Sequence, residues 1–131
     1  MTTLEVHSQK RIQMLDVTSA VSRAVRDSGV QEGLLHLFVP HTTAAITINE
    51  NADPDVIRDM LYGLEKLVPN DPSFRHVEGN SDAHIKSSLI GCQLSVAVSG
   101  GAPLLGTWQG IYFCEFDGPR KRQLQLKILA G

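Results

Sequence analysis

The chain has 131 residues, of which 42% are hydrophobic and 20% are charged, and its formal net charge is −2. These values are typical of one globular domain and exclude a disordered or fibrous chain. The longest run of like charge is Arg120-Lys121-Arg122, which is too short for a broad nucleic-acid surface. We therefore predict a single domain over residues 1–131 that does not bind nucleic acid.

Neither a membrane segment nor a leader is predicted. No apolar stretch approaches the roughly 20 residues needed to span a bilayer, and residues 1–5 lack a basic and apolar leader pattern. A cytoplasmic protein without a membrane partner is therefore expected. Cys92 and Cys114 lie in apolar, strand-like runs, and two isolated cysteines form neither a disulfide framework nor a zinc motif. We expect both thiols to be structural.

Two strands and a helix are predicted at the start of the chain. Polarity alternates over residues 2–7 and 12–17, and the short polar segment between them indicates a hairpin. Thr18 can cap a helix over residues 18–26, and Gly29 supplies the left-handed residue that ends such a helix. We expect this helix to cover a sheet.

The middle of the chain predicts two more strands and a second helix. Residues 34–39 form an apolar run, and residues 44–49 are rich in β-branched side chains. Asp53 followed by Pro54 is typical of a helix N-terminus, and this helix is expected to end near Val68-Pro69. The polar, aperiodic segment 70–82 predicts a long loop of the kind that often carries function.

The last third predicts a short helix and three strands. Ser81 or Asp82 can cap a helix over residues 84–89, which Gly91 ends. Strands are expected over residues 93–98, 108–116 and 123–129, with turns at 100–103 and 117–119. The order β-β-α-β-β-α-loop-α-β-β-β indicates an α+β domain with mainly antiparallel sheet.

Three of the five histidines lie in polar turns or loops, namely His41, His76 and His84. Three histidines with one open position are a familiar catalytic arrangement, so we predict that these three bind a divalent metal. Zinc or another transition metal suits such ligands, and magnesium is the alternative for a diphosphate substrate. For any single histidine a surface or capping role is the simpler interpretation. The carboxylates crowded between His76 and His84 favour a site.

Three further polar residues are candidates for catalysis. Glu50 ends a strand and is hard to explain as a helix cap, so it can serve as an acid, a base or a metal ligand. Asp82 can handle protons or orient a ligand. Lys86 would project from the first turn of a helix beginning at His84, beside free N–H groups, and can bind a phosphate there. Capping for Asp82 and solvated surface charge for Lys86 are the simpler alternatives.

Long segments of the chain carry a resemblance to a known family: residues 41–54 (HTTAAITINENADP), 78–88 (EGNSDAHIKSS), 106–109 (GTWQ) and 113–120 (FCEFDGPR). They are similar to segments of the YjbQ family, proteins described as secondary thiamine-phosphate synthases. The similarity extends over nearly the whole chain.

This resemblance implies a β-sandwich-like α+β fold assembled as a homotrimer, and a weak thiamine-phosphate synthase activity. That reaction joins a pyrimidine, carried as its diphosphate ester, to the nitrogen of a thiazole phosphate and expels pyrophosphate. It needs a divalent cation and basic groups that stabilise the departing charge. The chain has no glycine-rich phosphate cradle and no dense basic cluster, so a side activity is expected.

Three functions remain open at this point. The first is a metal-assisted transferase of the thiamine-phosphate synthase type, with the residue roles given above. The second keeps the metal and uses a bound water to hydrolyse a phosphate ester or amide. The third is a trimeric module that binds a metal or a small anion without turnover. An open metal position beside a base favours an enzyme, whereas a closed coordination shell favours binding.

Overall fold

The computed structural model describes residues 1–131, which form eight strands and three helices. The strands are β1 (Thr2–His7), β2 (Gln13–Asp16), β3 (Gly33–Phe38), β4 (Ala44–Glu50), β5 (Gln93–Ser99), β6 (Ala102–Pro103), β7 (Gln109–Glu115) and β8 (Lys121–Ala130). The helices are α1 (Thr18–Ser28), α2 (Pro54–Leu67) and α3 (Ser81–Ile90). None of the three helices combines the length and the apolar character needed to cross a bilayer.

The strands form two sheets in which every neighbouring pair is antiparallel. The larger sheet has the strand order β1-β8-β3-β5-β6, and the smaller sheet has the order β2-β7-β4. In the smaller sheet Cys114 of β7 lies opposite Met14 on one side and Ala45 on the other. The α+β class with mainly antiparallel strands and three helices is therefore confirmed.

The predicted hairpin between the first two strands is wrong. Leu4 of β1 lies opposite Leu124 of β8, whereas Leu15 of β2 lies opposite Phe113 of β7, so the two strands belong to different sheets. The four-residue β2 cannot pair along the full length of β1, while β8 pairs with all six of its residues. The polar segment after β1 consequently carries the chain from one sheet to the other.

The main core lies between the two sheets. Its fully buried side chains come from both, and they include Leu35, Leu37, Leu124, Ile46, Ile111 and Phe113. The apolar face of α1 closes this core with Val21 and Val25, which are also completely buried. The predicted helix thus covers the sheets as expected, and it extends two residues beyond its predicted end.

A second, smaller core lies on the opposite face of the three-stranded sheet. Tyr112 and Cys114 of β7 pack there against Ala83 of α3 and against the partly buried apolar face of α2. The N-terminus of α2 is capped as predicted, because the Asp53 side chain accepts a hydrogen bond from the Asp55 backbone N–H at 2.9 Å. The helices α2 and α3 therefore form a layer on the smaller sheet.

The outer face of the five-stranded sheet carries several exposed apolar side chains. Leu34 and Leu129 lie opposite each other on β3 and β8, and they are 43% and 50% exposed. Phe38 shares their face of β3, because side chains alternate between the two faces of a strand. The same face also carries His36, whose Nδ1 lies 2.9 Å from Ser95 Oγ. This mixed apolar and polar face can contact another molecule.

The third helix begins three residues before its predicted start. Asn80 occupies the N-cap position and Ser81 is the first helical residue. The Ser87 hydroxyl donates a hydrogen bond of 2.6 Å to the carbonyl oxygen of Ala44, the first residue of β4. This contact holds α3 against the end of β4 where the chain enters from the 40–43 turn.

We predict that a methyl group at Gly33 destabilises the fold. Its Cβ would lie 1.9 Å from the carbonyl oxygen of Leu129 on β8, so the two strands would have to separate locally. Gly33→Ala should lower the free energy of unfolding by about 1–3 kcal/mol, the usual cost of overpacking. Urea denaturation measures this change.

Gly63→Ala is the matched control for that experiment. A Cβ at Gly63, inside α2, meets nothing within 4 Å. The control should raise the free energy of unfolding by about 0.5–1 kcal/mol, because alanine is the better helix former. Effects of the same sign in both variants would contradict the close pairing of β3 with β8.

Candidate functional site

A polar cleft of about 440 Å³ opens beside the N-terminal end of α3. Its walls come from the turn before β4, the loop before α3, α3 itself and the segment 117–122, and no hydrophobic side chain lines it. We call it the histidine cleft, and its lining includes His41, His76, His84, Asn80, Arg120 and Arg122. Residues that lie far apart in the sequence therefore meet at one polar site.

The three histidines that the sequence analysis grouped all line this cleft. His41 lies in the turn before β4, His76 in the loop before α3, and His84 on α3. The rings of His76 and His84 meet edge to face, with their centroids 5.4 Å apart. The long polar loop and the third helix thus both contribute side chains to the cleft.

The imidazole of His41 is held by a backbone hydrogen bond. The N–H of Gln123 donates to His41 Nε2 at 2.9 Å. A neutral imidazole that accepts at Nε2 carries its proton on Nδ1. Burial, and next the positive charge of Arg122, lower the pKa of His41, so the ring is neutral at pH 7. His41 therefore offers an N–H donor at Nδ1.

This arrangement does not match the predicted metal site within one chain. No group of three His, Cys, Asp or Glu side chains comes together closely enough to hold a metal ion. The lone pair of His41 Nε2 is occupied by the Gln123 N–H, and Nδ1 carries the proton. The positive charge of nearby Arg122 also disfavours a cation. The three histidines of one chain therefore fit a polar ligand better than a metal.

A buried ion pair between Arg122 and Glu115 forms the floor of the cleft. The two side chains are only 3% and 0% exposed. Arg122 Nε donates to Glu115 Oε1 at 2.9 Å, and Nη2 donates both to Glu115 Oε2 and to Thr43 Oγ1. Burial alone would raise the pKa of Glu115, but hydrogen bonds from Arg122, the Asp117 N–H and the Ser8 hydroxyl lower it overall. The pair is therefore ionised and fully enclosed.

Arg122 is a site residue that the sequence analysis missed. In β8 the buried residues alternate with exposed ones, and Arg122 shares the buried side with Leu124 and Leu126. A charged residue at an inward position of an otherwise apolar alternation was the signal that could have found it. In the sequence analysis the basic triplet that contains Arg122 was considered only as a nucleic-acid surface.

Lys86, which the sequence assigned to a phosphate contact, lies away from the cleft of its own chain. Because α3 begins at Ser81, Lys86 lies in the second turn of the helix and not in the first. Its side chain is 1% exposed, and its ammonium pairs with Glu65 of α2 and lies 3.7 Å from Asp82. Lys86 does not line the histidine cleft, and its charge is already balanced.

Asp82 takes part in the same ionic cluster and not in the cleft. Arg11 Nη2 donates to Asp82 Oδ2 at 3.0 Å. Burial alone would raise the pKa of Asp82, but the Arg11 hydrogen bond and the charges of Arg11 and Lys86 lower it overall. Asp82 and Lys86 are one helical turn apart on one face, whereas His84 lies on the opposite face. The carboxylate therefore stays ionised and joins α3 to its neighbours.

Glu50 is not brought to the histidine cleft of its own chain. It ends β4, opposite Gln109, whereas Ala44 at the start of the strand lies next to the cleft. Six residue steps of about 3.3 Å separate the two ends of β4 by about 20 Å. The carbonyl oxygen of Glu50 accepts a hydrogen bond from the Tyr112 hydroxyl at 3.1 Å. Glu50 therefore does not reach the histidine cleft of its own chain, and its catalytic role stays a prediction.

A second cavity of about 470 Å³ adjoins the histidine cleft. The two cavities share His41, Thr42 and His84 as lining residues, and the second one also reaches Cys92. Only the fold brings Cys92 near these histidines, because 51 positions separate it from His41 in the sequence. Cys114, the other thiol, is buried in the second core.

We predict that one thiol per folded chain reacts readily with a disulfide reagent at pH 7.5. Burial raises the pKa of Cys114 to about 12, so this thiol is neither ionised nor accessible. Cys92 is partly exposed and lines a cavity, so it should react first. Colorimetric thiol counting measures both rates. Cys92→Ser should remove the fast reaction, and a fast reaction that persists in this variant would contradict the placement of Cys114.

We also predict that Asp82→Asn weakens the fold in a pH-dependent way. The pKa of Asp82 is lowered on folding, so its carboxylate adds stability above its ordinary pKa of 3.8, and this is lost as the pH falls through the folded-state value. At pH 7 the variant should lose about 2 kcal/mol, less than for a fully enclosed pair, because Arg11 is 45% exposed.

Urea denaturation from pH 7 down to pH 3 measures this effect. The stability difference between wild type and Asp82→Asn should shrink toward the acid end of the series. Asp59→Asn, which changes an exposed carboxylate on α2, is the control and should leave the profile unchanged. A difference that stays constant with pH would refute the assignment of Asp82 to an ion pair.

Comparison with known proteins identifies relatives along the whole chain. A family model described as UPF0047 protein YjbQ-like matches residues 2–131. The UPF0047 protein MJ1081 of Methanocaldococcus jannaschii is 51% identical over 125 residues, which cover 95% of this chain and 91% of that protein. The UPF0047 protein YugU of Bacillus subtilis is 48% identical over 128 residues, which cover 97% of both chains.

Solved structures agree with these sequence matches. A crystal structure of an uncharacterized conserved YjbQ/UPF0047 protein from Clostridium acetobutylicum has a TM-score of 0.95 and 50% identity, covering 98% of this chain and all of that one. A YbjQ-like protein of unknown function from Sulfolobus solfataricus has a TM-score of 0.94 and 30% identity, covering 99% of this chain and 96% of that one. The chain therefore belongs to the YjbQ family, also described as UPF0047.

Proposed function

We propose that this protein binds small phosphorylated molecules in the histidine cleft and transfers a group between two of them. The observation that carries the proposal is the pair of adjoining cavities, about 440 and 470 Å³, that share His41 and His84. A reaction between two substrates is accelerated when both are held side by side in a suitable orientation. A hydrolase or a simple binding module needs only one of these cavities.

The polar groups around the cleft suit the departure of a negatively charged group. Arg120 and Arg122 supply positive charge, and His41 supplies a neutral N–H donor. Donors that are already in place where negative charge develops lower the barrier without further rearrangement. These groups replace the phosphate contact that the sequence assigned to Lys86.

His76 and His84 are the proton carriers in this proposal. Their rings contact each other in the wall of the cleft, and His84 also lines the neighbouring cavity. Imidazole is the side chain that most readily both donates and accepts a proton near neutral pH. One ring can therefore protonate a departing oxygen while its neighbour helps to orient it.

The reaction that we propose is of the thiamine-phosphate synthase type. A nitrogen of a thiazole phosphate attacks the methylene carbon of a pyrimidine carried as its diphosphate ester. A C–N bond forms, the C–O bond to the diphosphate breaks, and pyrophosphate leaves with the bonding electron pair. The family resemblance supplies these substrates, and the two joined cavities with their N–H donors support the class of reaction.

A divalent metal enters this proposal only together with the substrate. The histidines of one chain do not supply a set of three ligands, as described above. Magnesium is commonly held by one or two carboxylates and the phosphates of a bound diphosphate. Glu78 and Asp117 are the carboxylates that line the cleft and suit such a role. All other groups in the proposed reaction are side chains of the protein.

A homotrimer in the cytoplasm is the assembly that we propose, following the family resemblance. The exposed face formed by Leu34, Phe38 and Leu129 on the five-stranded sheet supports contact with a second copy. Sedimentation equilibrium should then give three times the chain mass of 14.3 kDa. A mass of one chain at micromolar concentration would contradict the trimer.

We predict that His84→Ala impairs the reaction while leaving binding largely intact. Loss of one proton carrier should lower kcat/KM for pyrophosphate release by about 100-fold or more. The assay combines the pyrimidine diphosphate with the thiazole phosphate, in parallel with magnesium, zinc or a chelator. His36→Ala is the matched control, because His36 lies on the outer sheet face away from the cleft, and its activity should equal that of wild type.

Other outcomes of this assay would overturn the transferase proposal in distinct ways. Binding of either substrate in calorimetry without any product would indicate a binding module. Release of phosphate from one substrate in the absence of the other would indicate a hydrolase. An equal loss of activity in His84→Ala and His36→Ala would show that the histidine cleft is not the reaction site.

A further inference from the structure

We infer that Arg122 and His41 together form an oxyanion anchor that binds one terminal phosphate or carboxylate group of the ligand. The anchor consists of Arg122 Nη1 and His41 Nδ1, which belong to two residues on the wall of the histidine cleft. This inference rests on the proposed function, because it names the chemical group that the same cleft selects. It moves the contact with the ligand's anionic group from Lys86 to Arg122.

Arg122 has hydrogen-bond donors that the rest of the chain does not use. A guanidinium group carries five N–H donors. Arg122 Nε donates to Glu115, and Nη2 donates to Glu115 and to both oxygens of Thr43. Nη1 donates to no group of the chain, although the whole side chain is only 3% exposed. Because Arg122 lines the cleft and Nη1 is not one of the buried unpaired atoms of the chain, Nη1 is reached from the cleft and can donate to a ligand there.

Hydrogen bonds hold the guanidinium of Arg122 in one orientation. Two contacts to Glu115 and two to Thr43 hold the group on both sides. An arginine that is fixed in this way loses little conformational entropy when it binds an anion. An exposed arginine such as Arg120, which is 51% exposed and lies 3.4 Å from Asp117, does not have this advantage. The buried residue is therefore the stronger anchor.

His41 supplies the second donor of the anchor. Its Nε2 accepts the Gln123 N–H at 2.9 Å, which fixes the ring and leaves the proton on Nδ1. Nδ1 makes no hydrogen bond to another group of the chain. His41 thus supplies one donor of the anchor. The other donor belongs to Arg122, the residue directly before Gln123. Gln123 and Arg122 are neighbours on β8, so one strand positions both parts of the anchor.

The charge and the donors of the anchor determine which ligand groups it can bind. Glu115 compensates the charge of Arg122, so the floor of the cleft has little net positive charge. An electrostatic field strong enough for a whole diphosphate is therefore absent from the anchor itself. Two sets of N–H donors match a single end group that only accepts hydrogen bonds, which is a fully ionised phosphate or a carboxylate. A cationic group such as an ammonium, which offers only donors, finds no acceptor in the anchor.

The test uses calorimetry with inorganic phosphate, acetate and the pyrimidine diphosphate as probes. The first variant is Arg122→Met combined with Glu115→Gln, which removes both buried charges at once and so leaves neither alone. Gln at position 115 keeps one acceptor oxygen, which serves either the Ser8 hydroxyl or the Asp117 N–H, because these two groups bond to different oxygens of Glu115. The second variant is His41→Phe, which removes the Nδ1 donor and also the Nε2 acceptor of the Gln123 N–H. Far-ultraviolet circular dichroism and a cooperative urea transition establish that each variant is folded.

Each folded variant should bind phosphate and the diphosphate about tenfold or more weakly than wild type, as expected when a charge-assisted hydrogen bond is lost. Lys121→Gln is the matched control, since it removes one positive charge from the next residue, outside the cleft. Its affinities should stay within about twofold of wild type, because exposed charges contribute little. A proton on Nδ1 of His41, seen in long-range nitrogen–proton spectra, gives a readout that does not depend on the ligand.

The outcomes separate this inference from the proposed function. Unchanged affinities in both folded variants would overturn the anchor and leave the transferase proposal intact. Binding of phosphate or acetate that needs the anchor, without any binding of the pyrimidine diphosphate, would support the anchor and overturn the transferase. Acetate binding that the variants lose in parallel would extend the ligand class to carboxylates. Absence of binding by all three probes to wild type would overturn both.

Discussion

The ion pair between Arg122 and Glu115 is the interaction on which the cleft depends. Arg122 lies on β8 of the larger sheet, Glu115 ends β7 of the smaller sheet, and Thr43 precedes β4. Ser8, which follows β1, donates to the same carboxylate. Because breaking a buried pair leaves an uncompensated charge at a cost of about 3–5 kcal/mol, these strand ends are held in one arrangement. The position of the anchoring guanidinium therefore follows from the packing of the two sheets.

The two faces of α3 have different roles: one carries an ionic cluster and the other carries a histidine of the cleft. Asp82 and Lys86 lie on one face of the helix, where Arg11 and Glu65 neutralise them. His84 lies on the opposite face and lines the cleft. The ionic cluster fixes the helix against its neighbours, and this leaves the histidine free to meet a ligand. A helix of ten residues can serve both purposes because its faces repeat every 3.6 residues.

Local patterns predicted most elements, and they also pointed to the histidines of the cleft. Periodicity, caps and turn residues act within a few positions, so seven strands and α2 were found close to their observed ends, whereas the two-residue β6 was predicted as a turn. The pairing of β1 depends on competition between distant partners, and this is why the hairpin was predicted wrongly. The predicted role of Lys86 depended on where α3 begins. The helix begins three residues earlier than predicted, so Lys86 lies in the interior and not at the surface. To identify Arg122 as a site residue, one had to know which side of β8 faces the interior.

The cleft is assembled from segments that are far apart along the chain, since His41 and Arg122 are separated by 81 positions. No fragment of the protein contains all of its walls, so a ligand recognises only the completely folded chain. Binding and folding are then thermodynamically linked: a ligand at 100 times its Kd adds about 2.7 kcal/mol to the stability of the native state. In a cell, the lifetime of this protein would consequently rise and fall with the concentration of the molecule that it binds.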